Sequence, residues 1–135
     1  MSAWFIIVIW LGFILINISI AEWNDRVRRV RIRIGNPKQI EHFWYGLGYC
    51  LLCGAVWYIS RSWIELISIL LQHISVFTVA YNMFSDNRAF NLSRTSKALT
   101  DRLLVVWGFK SYKFVAVTAF CASAGLFIVQ LFHHG

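Results

Sequence analysis

The sequence predicts an all-α polytopic membrane protein, with four transmembrane helices and a short interfacial helix before the fourth. Three observations carry this. Four apolar runs, over residues 3–21, 43–60, 63–84 and 114–132, are each long enough to cross a hydrocarbon core of about 30 Å as a helix. Of the 13 Lys and Arg residues, all but Arg61 lie in two segments, between the first and second runs and between the third and fourth. Finally, 59% of the 135 residues are hydrophobic and 14% are charged, which leaves no room for a separate soluble domain. Residues 1–135 are therefore read as one transmembrane helical bundle.

The first run, Ala3–Ala21, is apolar around nearly its whole circumference over Phe5–Ile16. Trp4 and Trp10 toward one end and Trp23 at the other stand where indole rings anchor at headgroup level. Ser19-Ile20-Ala21 resembles a cleavage site, but no basic residue precedes the run and an Arg cluster follows it, so it is read as an uncleaved first span. Arg26, Arg28, Arg29, Arg31 and Arg33 come next. Their alternation with Val30, Ile32 and Ile34 suits an extended segment, while Arg26, Arg29 and Arg33 also share a helical face. Both readings stand. Gly35-Asn36-Pro37 then turns the chain.

Only Ser60-Arg61-Ser62 separates the second and third runs, so these helices form an antiparallel hairpin. Gly46, Cys50 and Gly54 recur every four residues on the second span, a small-residue ridge that lets another helix approach closely. Ala119 and Ser123 give the fourth span a similar face. These faces pack either within the bundle or between copies. Cys50-Leu51-Leu52-Cys53 matches C-x-x-C, yet the chain offers neither further zinc ligands at that depth nor a second cysteine pair. The cysteines are read as small hydrophobes, and no metal or cofactor is expected.

After the third run, Ser85-Asp86-Asn87 breaks the helix and Asn91–Ser96 offers several N-caps. Residues 98–109 read as an interfacial helix bent at Gly108 and leading to the fourth span through Lys110 and Lys113.

The most suggestive pattern lies on the third span. At helical spacing Glu65, Ser68, Gln72, Ser75 and Asn82 fall within about 100° of arc, with Thr78 beside them. Polar side chains in lipid turn toward other helices or a water path. Two readings follow: a hydrogen-bond ladder between helices, or a lining built from several copies. Glu65 follows Arg61 by four residues, so an ion pair is the plain expectation; with Arg61 turned away, Glu65 becomes a cation or proton site. His73, near mid-span, is a possible relay or ligand. A bis-histidine haem would need a second histidine at equal depth, and His42, His133 and His134 all lie near span ends.

No phosphate-binding loop, nucleophile elbow or nucleophile–base pair is present in the sequence, so an enzyme is not expected. The formal charge of +7 sits beside membrane spans, which favours an anionic lipid leaflet over nucleic acid as its partner. Basic loops stay cytoplasmic, placing both termini on the periplasmic side of a bacterial inner membrane, with a mitochondrial inner membrane as the alternative. Two functions follow. One is a non-catalytic subunit of a larger membrane assembly, joined through the small-residue faces. The other is a homo-oligomeric channel or transporter lined by the third helix.

Overall fold

A computed structural model describes residues 2–35, 41–85, 88–92 and 99–134. These residues form five helices: α1 (Ala3–Arg33), α2 (Glu41–Ser60), α3 (Trp63–Phe84), α4 (Leu99–Val106) and α5 (Lys113–His134). Three of them, α1, α3 and α5, are long and apolar enough to cross a membrane, the mark of an integral membrane protein. The fourth expected crossing, α2, is apolar over Tyr45–Ser60 but shorter.

Helix α3 is the centre, packing against α1, α2 and α5. Its contacts with α1 rise in step along both chains, from Trp10 with Gln72 to Arg29 with Phe84, so α1 and α3 are parallel. Helix α5 runs the other way, with Gln130 at Ser62, Ser123 at Ser68 and Tyr112 below Ile74. Helix α2 is antiparallel to α3 as well. Tyr49 donates its hydroxyl to the Ile69 carbonyl, and Trp57 stands beside Trp63 at the hairpin.

Residues 26–33 are helical, which decides between the two readings of the arginine segment. Asp25 explains why. It is buried, and it accepts from Arg28 three residues on, from Arg29 four residues on and from the hydroxyl of Ser85, the C-cap of α3. Acid-before-base pairs at those spacings support the helical turn they span. Helix α1 thus runs twelve residues beyond the expected end of the first span at Ala21. At 31 residues it is roughly 46 Å long, more than the bilayer core requires.

Two core clusters fill the bundle. Phe13, Tyr49, Cys53, Val56 and Ile69 join α1, α2 and α3. Leu92, Leu104, Tyr112 and Ala116 gather α4 and the loop 88–92 onto the start of α5. The expected bend after α4 occurs at Gly108, whose φ of +85° a residue with a Cβ adopts only under strain. The proposed caps at 93–96 and the turn at Asn36-Pro37 lie outside the described residues.

Candidate functional site

The polar face of α3 points inward. Glu65, Ser68, Gln72, Ser75 and Asn82 are all buried, while Ile64, Ile67, Leu70 and Ile74 face outward. The period of 3.6 residues that aligns these polar groups also aims them at α1 and α5.

A directional chain of hydrogen bonds joins three helices at mid-depth. The Asn17 amide nitrogen on α1 donates to Gln72 Oε1 at 3.4 Å, which leaves Asn17 Oδ1 as an acceptor. His73 Nδ1 lies 2.6 Å from that oxygen, so the imidazole carries its proton on Nδ1 and donates. Gln72 Nε2 in turn donates to the Trp10 carbonyl at 2.8 Å, and the Trp10 indole N–H donates to Ser123 Oγ on α5 at 3.1 Å. Each donor meets an acceptor. Apart from the His73 imidazole at one end, the links are amides, an indole and a hydroxyl, groups that hold a hydrogen bond at neutral pH without gaining or losing a proton.

Helices α3 and α5 meet at Ser68 and Ser123, both fully buried. Ser68 Oγ donates to the Ser123 carbonyl at 2.8 Å, and Ser123 Oγ donates to the Ser68 carbonyl at 2.7 Å. Small side chains allow that approach. One turn toward the Phe84 end, Ala119 is also buried, so the α5 packing face lies within the chain. The α2 ridge behaves oppositely. Gly46, Cys50 and Gly54 are exposed, because α2 buries the face carrying Tyr49, Cys53 and Val56.

His73 is held by more than one bond. Its ring packs against Tyr49 at 4.2 Å between centroids and against Phe77 at 5.1 Å. Among the described residues, no group of three or more His, Cys, Asp or Glu side chains is arranged to hold a metal ion.

Two expectations are corrected. Arg61 does not pair with Glu65. It precedes the N-cap Ser62 with a φ of +53°, off the helix, so the spacing of an i, i+4 pair does not apply. Its guanidinium instead lies 4.5 Å from the Tyr58 ring centroid and 5.6 Å from that of Trp57. Trp10 is no simple headgroup anchor, because it is half-buried and stacks on Phe127 at 4.7 Å between centroids. The serine on α5 gives its N–H a partner inside the bundle.

Glu65 is therefore left without a cation among the described residues, with the Ser60 hydroxyl as the polar group beside it. It is 3% exposed, and neither carboxyl oxygen has a hydrogen-bond partner among the described residues. Its backbone N–H is capped by Ser62 Oγ, which also accepts from Gln130 Nε2 at 2.7 Å.

At the other end, Asn82 donates to the Ala89 and Asn91 carbonyls and so pins the loop that follows α3. The arginines of α1 gather there too. Arg26 pairs with Glu22, Arg28 and Arg29 share Asp25, and Arg29 also reaches the Phe84 carbonyl. Arg31 is half-buried and Arg33 exposed.

Sequence reasoning had not assigned roles to Asn17, Asp25 and Gln130, and had read Ser85 only as part of a helix break. An asparagine inside Ile16-Asn17-Ile18 is the one signal that could have flagged the ladder on α1. Comparison with protein-family models, curated proteins and solved structures finds no match for this chain.

Proposed function

We propose that this chain is a non-catalytic integral membrane subunit that crosses the bilayer four times and serves a larger assembly by packing. The observation that carries this reading is where the polar groups of α3 go. Ser68, Gln72 and His73 direct their hydrogen bonds to α1 and α5 of the same chain, so little polar surface is left to line a water path.

The parallel arrangement of α1 and α3 supports α2 as the fourth crossing. Two successive spans that run the same way need a return between them, and α2 is the helix available for it. The described basic residues of both segments gather at the Phe84 end, and Arg61 lies at the other. By the retention of Lys and Arg on the cytoplasmic side, the Phe84 end faces inward and both termini face outward, as in a bacterial inner membrane. Reporter fusions at residues 1 and 135 test this: four crossings place both on the same side, three on opposite sides.

The exposed Gly46, Cys50 and Gly54 ridge is the face by which α2 meets another subunit. Mass spectrometry of the intact assembly, gently extracted from native membranes, tests the whole reading. A different protein bound in fixed ratio, and lost in Gly54→Leu, is expected. A homo-oligomer that conducts ions after reconstitution would overturn it in favour of a channel.

A further inference from the structure

We propose that the groove between α1 and α5 is a binding site for one anionic phospholipid, its acyl chain in the groove and its headgroup on Lys113 and Arg88. Near Trp10 the two helices touch, through Phe120, Phe127 and Ser123. Toward the Phe84 end a groove of about 390 Å³ opens, with α3 as its floor. Ile18 borders it on α1, Val79 and Met83 on α3, Ala116 and Phe120 on α5, and Phe90 in the loop after α3.

The lining decides the chemistry of the occupant. It is almost wholly apolar, so water gains few hydrogen bonds there, and in a bilayer the natural filler is a hydrocarbon chain. The groove also has direction. Lys113 precedes Ala116, Val117 and Phe120 by three, four and seven residues, so it stands on the same face of α5, at the groove's Phe84 end. Arg88 is two residues before Phe90, in a turn closed by the Asn91 N–H on the Arg88 carbonyl. Both basic side chains are exposed. An apolar slot ending in two cations matches a lipid with one negative headgroup, and basic sites between helices at the cytoplasmic surface select such lipids.

The inference rests on the membrane placement alone, not on the subunit reading. A chain that stayed monodisperse without detergent would overturn that placement separately. The full-length protein is stripped of lipid in detergent, then titrated with phosphatidylglycerol or phosphatidylcholine of identical acyl chains and read by native mass spectrometry. One phosphatidylglycerol per chain should persist under conditions that remove phosphatidylcholine. Lys113→Gln and Arg88→Gln should each weaken its retention by about fivefold. Arg61→Gln, at the far end, should leave it unchanged. Val117→Phe, which fills the groove from an exposed position, should lower retention while both cations remain. Equal retention of the two lipids, or equal losses in Arg61→Gln and Lys113→Gln, would overturn the proposal.

Discussion

Ser68 and Ser123 exchange hydrogen bonds in both directions, each hydroxyl donating to the other residue's backbone carbonyl, at 2.8 and 2.7 Å. A reciprocal pair of this kind both fixes the register of α3 on α5 and demands a small residue on each side. Alanine at Ser68 keeps the close approach and loses its bond to the Ser123 carbonyl, at a cost of about 1 kcal/mol, while alanine at Ser123 costs more because it also takes the acceptor from the Trp10 indole N–H. Leucine at Ser123 forces the helices apart and costs more still. Unfolding in mixed detergent micelles measures both. Equal stability of Ser123→Ala and Ser123→Leu would contradict the close approach.

Gln72 sits between two partners, and losing it orphans one of them. In Gln72→Leu, the Asn17 amide loses its acceptor at mid-depth, while the Trp10 carbonyl falls back on its helical bond alone. We expect a loss of about 1–3 kcal/mol, because an unsatisfied buried group costs its desolvation. His73→Phe should cost less, since the ring still packs on Tyr49 and Phe77 and only Asn17 Oδ1 goes unpaired. The same unfolding measurement ranks the two, and the reverse order would contradict the network as drawn.

Glu65 is the one ladder position where charge is not matched. A carboxyl that is 3% exposed, with no cation among the described residues to meet it, is costly to bury. Glu65→Gln removes that liability while keeping shape, so its thermal midpoint in detergent at neutral pH should rise by a few degrees. Arg61→Ala should not abolish the gain, because Arg61 stacks on Tyr58 and Trp57 instead of pairing with Glu65. A lower midpoint in Glu65→Gln would mean that the carboxylate meets a cation in the membrane.

The glycines of α2 behave as surface. A Cβ at Gly46 or Gly54 would meet no atom within 4 Å. Gly54→Leu should therefore leave the unfolding midpoint of the isolated chain within about 0.5 kcal/mol of its original value, apart from a gain in helix propensity. Its effect should appear in the assembly, as loss of the partner from the extracted complex. A Gly54→Leu chain that assembles normally would remove α2 as the interface.

The inward face of α3 was readable because Glu65, Ser68, Gln72, Ser75 and Asn82 repeat at the helical period, which a sequence displays directly. Their partners were not, because Asn17, Trp10 and Ser123 are single residues in apolar runs, and a single residue has no period. The arginine segment failed for a different reason. Alternating Arg with Val and Ile satisfies period two and period 3.6 alike, and the Asp25 pairs with Arg28 and Arg29 that support the helix have no period of their own. The Arg61–Glu65 expectation assumed that the helix already included residue 61. Ser62 starts it one residue later.

Cysteine accessibility at Ser68 tests the central claim, that the α3 stripe is a dry ladder within one chain. With Cys50, Cys53 and Cys121 replaced, Ser68→Cys is introduced as a near-isosteric probe and treated in intact membranes with a membrane-impermeant thiol reagent. The account predicts no labelling until the protein is unfolded in detergent. Rapid labelling in the membrane would place water along α3 and turn the ladder into a pathway.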